Sequence, residues 1–249
     1  MNIANIGIVI LSAKSRIKSQ QMCLQSLLTN TDLPYRLIWH HVIDDDNFET
    51  TAMLLNHAQR GLIQHLFLHH HSDDYKYGAY HNWSSLIYCQ GHLGAKVPSV
   101  EWLVMALDDM EFQPGWLSHT MQTIEKFSDF PIGLWLTYRD PAHLVSSPLI
   151  QREEHGIWTV DSCAPRCCVI KNKLFQDIGM IDLSVNTTSD WKFIKDVKDK
   201  GWKIAIIQGL KVLHKDFGLS PSHRTDLDPL IQDRHSDEFF IEKYGGYNG

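Results

Sequence analysis

The chain has 249 residues, 43% of them hydrophobic and 21% charged, with a net charge of −6. That length suits one large α/β domain and is short for two independent ones; the composition is that of a globular protein with a real core. The negative balance excludes a global basic field of the kind that draws a chain onto nucleic acid or anionic membrane.

Residues 6–11, Ile-Gly-Ile-Val-Ile-Leu, form a continuous apolar run. They predict a strand buried on both faces, as in a parallel sheet. The run is too short to cross a bilayer, and no basic segment precedes it. A cytoplasmic protein with no membrane span is therefore expected. Met22, Leu24, Leu27 and Leu28 recur at helical spacing, and Leu33-Pro34 ends that helix. Residues 35–43 predict a second strand, closed by Asp44, Asp45 and Asp46. A helix over 51–60 stops at Gly61, and 62–68 predict a third strand. A helix over 80–89 leads to a fourth strand, 101–107, which ends in Asp108-Asp109. Strand and helix alternate through this half, the signature of a parallel sheet with crossover helices. In such sheets ligands bind outside the carboxyl ends of the strands. Ser12, Asp44-Asp45 and Asp108-Asp109 all fall at those ends.

The second half is less regular. Residues 131–136 predict a strand, 141–156 a loop-rich stretch, 167–170 a short strand and 173–178 a short helix. A helix over 190–200 stops at Gly201, and a strand over 204–212 leads to His214. The five cysteines (Cys23, Cys89, Cys163, Cys167 and Cys168) are odd in number and form no CxxC pair. Reduced thiols in a reducing compartment are the expectation. His69-His70-His71 reads as a solvated loop after a strand, because no second ligand cluster has zinc-like spacing.

No GxGxxG follows the first strand, and GxxxxGK[ST] is absent. That excludes the dinucleotide-binding fingerprint and the P-loop. The strand ends offer carboxylates instead. A carboxylate meets a diphosphate only through a hard divalent cation, and Mg²⁺ or Mn²⁺ takes one or two carboxylates plus phosphate oxygens and water.

With these residues in place, the chain resembles the family 2 glycosyltransferases over nearly its whole length. Residues 8–16, with Gln25-Ser26-Leu27-Leu28, resemble the family's opening strand, loop and first helix. Val42-Ile43-Asp44-Asp45-Asp46-Asn47 resembles its strand-Asp-Asp-x-Ser segment, whose second Asp contacts the nucleotide base. Leu107-Asp108-Asp109, followed by Pro114-Gly115-Trp116-Leu117, resembles the metal-binding DxD region. Ile178-Gly179-Met180-Ile181-Asp182 is similar to the family's vGgFD turn. Ser189-Asp190, with Gly201 eleven residues after Asp190, matches the spacing of the ED…G helix that carries the catalytic base. His214 matches the histidine after the last sheet strand.

The resemblance implies a GT-A fold, α/β with a mostly parallel central sheet flanked by helices, as a single domain over 1–249. It places the nucleotide-sugar-binding half at 1–117 and the acceptor-binding half and tail at 118–249. It implies transfer of a sugar from a nucleoside-diphosphate sugar to an acceptor hydroxyl, with Mn²⁺ or Mg²⁺ and with inversion. The acceptor class (glycan, lipid, protein or modified DNA) stays open. Asp190 is implied as the base, Asp109 and His214 as metal ligands, and Ser12, Lys14, Asp45 and Asp108 as contacts to the nucleotide sugar. Two positions depart from the pattern: Met110 stands third after the Asp pair, and Ser189 replaces the acid before the base. They keep open a catalytically inactive GT-A module that binds sugar nucleotide or glycan. A nucleotidyltransferase on a similar sheet is a third reading, although residues 12–16 lack the glycines it needs. Each residue also has a plainer reading: Asp190 as a helix cap, His214 as a strand-end histidine, and Asp44 to Asp46 as a solvated turn. The order and spacing of the set favour the site.

Overall fold

The protein is described by a computed structural model over residues 6–13, 17–43, 48–70, 100–139, 150–154, 156–160, 167–178, 189–209 and 211–215. Strands β1 (Ile6–Ala13), β2 (Arg36–Ile43), β3 (His65–His70) and β4 (Trp102–Leu107) lie parallel in the order β3-β2-β1-β4. Ile8, Val9 and Ile10 of β1 are completely buried, which accounts for the unbroken apolar run: a strand covered on both faces has no solvent side to mark with polar residues. Between these strands run α1 (Ile17–Asn30) and α2 (Phe48–Gln59). The helix predicted over 80–89 lies outside the described residues.

Past β4 the same sheet continues through β10 (Cys167–Lys171), β6 (Ile132–Leu136), β11 (Lys203–Ile207), β9 (Ile157–Val160) and β8 (Ile150–Glu154). Only β9 and β10 run against the others among these nine strands. The mostly parallel sheet expected from the sequence is present. Helices α3 (Trp116–Lys126), α4 (Asn172–Ile178) and α5 (Ser189–Asp199) complete the described framework. Among the described residues, no helix is long and apolar enough to cross a membrane.

A second sheet is small and was not legible in advance. It joins β5 (Met110–Phe112), β12 (Val212–His214) and β7 (Tyr138–Arg139) in the order β5-β12-β7. It corrects the reading of 204–212 as one strand. β11 ends at Ile207, the chain bends at Gln208-Gly209, and β12 then pairs in the other sheet. Gly209 makes the bend possible with φ of 68°, a left-handed conformation that a Cβ disfavours.

Three further readings change. The stretch 141–156 is not all loop, because β8 pairs antiparallel with β9 at the edge of the large sheet. The polar β8 sequence Ile-Gln-Arg-Glu-Glu hid it. The histidine run does not begin in a loop: His69 and His70 are the last residues of β3, paired with Val42 and Ile43, while His71 lies outside the described residues. Helix α3 also escaped prediction, since Gly115 at its N-cap makes no side-chain cap bond. The cap comes from the loop after α1, where Asp32 Oδ1 accepts the Ser118 N–H at 3.1 Å. What burial Asp32 has works against its ionisation, but the Ser118 hydrogen bonds and the nearby Lys211 ammonium hold its carboxyl below the usual carboxylate range. By contrast, α5 ends as its sequence indicates. The N–H groups of Gly201 and Trp202 return to the carbonyls of Lys198 (2.8 Å) and Val197 (3.1 Å), with Gly201 at φ of 77°.

Candidate functional site

Strands β1 and β4 are adjacent and parallel, with Leu11 level with Leu107. Their next residues, Ser12 and Asp108, therefore reach the same rim of the sheet. Asp108 and Asp109 form the turn between β4 and β5. Strand β12 runs antiparallel to β5 and places His214 opposite Met110. The Lys215 N–H extends the ladder to the Asp109 carbonyl at 2.9 Å, and the Lys215 ammonium meets Glu111 Oε2 at 2.8 Å. The outcome is that His214 Nε2 lies 3.2 Å from Asp109 Oδ2, with the two side chains only 9% and 12% exposed. Residues 105 positions apart in the chain are thus brought together by a three-residue strand. Met110 is completely buried. The third position of the motif belongs to the core here, so an acid at 110 would have no route to the rim.

Asp108, 5% exposed, is held from below by α1. The Gln20 side-chain amide donates to Asp108 Oδ2 at 2.7 Å, and the Ser19 hydroxyl donates to the Asp108 carbonyl at 2.8 Å. Further along the same helix, Cys23 Sγ approaches the Leu107 carbonyl at 3.8 Å. Ser26 Oγ accepts the Phe112 N–H, and Asn30 Nδ2 donates to the Phe112 carbonyl. Ser19, Gln20, Cys23, Ser26 and Asn30 recur at three- and four-residue intervals, so one helical face grips the segment 107–112. The apolar periodicity of α1 drew attention away from this polar stripe. The stripe was visible in the sequence as small polar residues at helical spacing. Helix α1 has no acid of its own in its first turn; Asp108 supplies one in space, where the helix dipole favours it.

Ser12 is engaged inside the sheet. Its hydroxyl accepts the Trp39 indole N–H at 2.7 Å and shares a 2.8 Å hydrogen bond with His41 Nδ1. All three side chains are buried. Leaving a buried polar group unpaired costs about 1–3 kcal/mol, so the arrangement ties β1 to β2 and gives Ser12 a structural task as well. Trp39 and His41 were not singled out from the sequence. Lys14 and Asp45 lie outside the described residues. Asp190 is the second residue of α5, and nothing of its side chain is described.

Two thiols lie beneath the carboxylates. Burial pushes the Cys167 thiol up to about 12; the hydrogen bond with Thr137 works against that shift and the charge of Asp109 reinforces it. Burial, then the charges of Asp108 and Asp109, pushes Cys23 well above the usual thiol range. Thiolate is the reactive form. Iodoacetamide at pH 8 should therefore leave Cys23 and Cys167 unmodified in the native protein and alkylate both in denaturant. Peptide mass spectrometry reads the result, and stoichiometric native labelling at either position would contradict the burial.

The donor set fits a divalent ion. A carboxylate oxygen facing an imidazole nitrogen is a pair that Mn²⁺ accepts, and an ion held by so few side chains completes its shell with phosphate oxygens and water. Among the described residues, no three His, Cys, Asp or Glu side chains gather into a metal cluster.

No protein-family model matches the sequence, and no curated protein matches it. Solved structures do. GalNAc-T7 with UDP, GalNAc and Mn²⁺ is similar at a TM-score of 0.59 and 13% identity, over 86% of this chain and 44% of that one. The mannosyltransferase PcManGT from Pyrobaculum calidifontis, in complex with GDP-Man and Mn²⁺, is similar at 0.58 and 11%, over 87% and 58%. S. aureus TarS is similar at 0.56 and 10%, over 85% and 37%. The protein has the GT-A fold. Its sequence spans less than two thirds of the length of each of these three GT-A chains. At such identities the likeness is one of fold, and the chemistry has to be argued from the site.

Proposed function

We propose that this GT-A protein is a glycosyltransferase that moves a sugar from a nucleoside-diphosphate sugar to an acceptor hydroxyl, with Mn²⁺ or Mg²⁺ and inversion at the anomeric carbon. The observation that carries the reading is the Asp109–His214 pair, 3.2 Å apart at the rim where β4 ends. Asp109 and His214 would hold the ion. A divalent ion bound there supplies positive charge against the diphosphate as it leaves. Asp108 would receive the nucleotide's ribose, or a water of the ion's shell were the ion bound, and Asp45 would receive the base. Ser12 fixes the end of β1, from which Lys14 reaches the donor. Asp190 accepts the proton of the acceptor hydroxyl while that oxygen bonds to the anomeric carbon. The bond from the anomeric carbon to the diphosphate oxygen breaks, and its electron pair stays with the nucleotide. One displacement inverts the carbon. A cytoplasmic location completes the proposal.

The test is a screen of sugar nucleotides with Mn²⁺, reading nucleoside diphosphate release. The expected result is slow hydrolysis of one donor, abolished by chelator. Binding without release of any product would support the inactive module instead. Release of pyrophosphate in a coupled assay would support nucleotidyl transfer.

A further inference from the structure

We infer that Gln20 is a positioning residue of this site: its side-chain amide sets the orientation in which the Asp108 carboxylate meets the donor nucleotide. The inference rests on the nucleotide-sugar reading of Asp108. Gln20 is completely buried in the first turn of α1. A buried amide is costly unless it is hydrogen-bonded, and an apolar residue of the same shape would pack there without that cost. The fold has other means of holding this segment. Ser19 grips the Asp108 carbonyl, and Ser26 and Asn30 grip the main chain at Phe112. These are contacts to backbone. The Gln20 amide differs from them in bonding the Asp108 side chain, at 2.7 Å. That bond fixes the carboxylate torsion, and with it the direction the group presents at the rim. Gln20 acts through Asp108 and touches no donor atom.

A double-mutant cycle separates this role from a structural one. Wild type, Gln20→Met, Asp108→Ala and the double variant are compared by calorimetric titration with UDP, GDP, ADP, CDP and dTDP in the presence of Mn²⁺, alongside thermal unfolding. Gln20→Met should weaken binding of the preferred nucleotide by about tenfold, within the coupling range of residues in direct hydrogen-bond contact. Donor KM should rise by a similar factor, with kcat changed less than about twofold, the pattern of lost uniform binding. In the Asp108→Ala background the same substitution should cost no further affinity. Gln20→Asn guards against misfolding, because it stays polar but is one methylene too short for the bond; it should show the same loss. Unchanged affinity in both Gln20 variants overturns the inference, and so does an equal loss with Asp108 already removed. A wild-type protein that binds no nucleoside diphosphate, UDP, GDP, ADP, CDP and dTDP included, overturns the functional reading along with it.

Discussion

Asp109→Ala should abolish the proposed Mn²⁺-dependent donor turnover and leave the fold intact; that is the largest effect expected of any substitution in this chain. The fold survives because the main chain of residue 109 keeps its ladder bond, although the His214 imidazole loses its 3.2 Å partner at a cost of about 1–3 kcal/mol. The Asp109 carbonyl accepts the Lys215 N–H, and alanine keeps that bond. The three-residue ladder between β5 and β12 is unchanged. The function is lost because Asp109 and His214 are the pair proposed to hold the ion. A lost electrostatic stabiliser costs about 10²–10³ in rate when it is a single hydrogen-bond donor, and here the charge is a divalent ion. Nucleotide release with and without Mn²⁺ measures the effect, and the unfolding midpoint checks the fold. Full activity in Asp109→Ala, or in wild type with excess chelator, would sink the metal mechanism.

The second large effect is at Asp190. Asp190→Asn should lower sugar transfer by about 10²-fold or more, the range for loss of a general base, while nucleotide binding stays nearly constant. The proposed base lies on a described element of the backbone. Asp190 is the second residue of α5, and the helix dipole favours acidic residues in a first turn in general. The far end of the helix is fixed by the Gly201 cap, from which Trp202 leads into β11. Asparagine keeps the size and polarity but removes the basicity. The assay is transfer to the true acceptor, or donor hydrolysis in its place. An asparagine variant working at the wild-type rate would reduce Asp190 to an ordinary first-turn acid of α5.

Much of the large sheet was legible because its information is local. The apolar run of β1, the spacing of α1 and the Gly201 stop are each contained in a short window of sequence. The Asp108-Asp109 turn was legible for the same reason. The proximity of His214 to Asp109 was expected from resemblance, yet the sequence reading had the strand wrong. Residues 204–212 look like one strand because both halves of the run are apolar, and Gly209 alone marks the break. Helix α3 was missed because its cap, Asp32, belongs to another part of the chain. The Gln20–Asp108 bond joins residues 88 positions apart, and a buried glutamine in a helix carries no local mark of its partner.

The small sheet works as a ruler. Strand β12 has three residues, and its register against β5 decides which of them stands beside Asp109. A slip of one residue shifts a strand by about 3.3 Å and turns every side chain to the opposite face. Leu213 would then occupy the place of His214, and an aliphatic group would face the carboxylate. The segment between β11 and β12 is therefore constrained in its number of residues, as well as at Gly209, with its left-handed φ, and at Lys211, which donates to the Pro114 carbonyl. Inserting one residue into that bridge should cost the Asp109–His214 contact more than an isosteric exchange at Gln208 would.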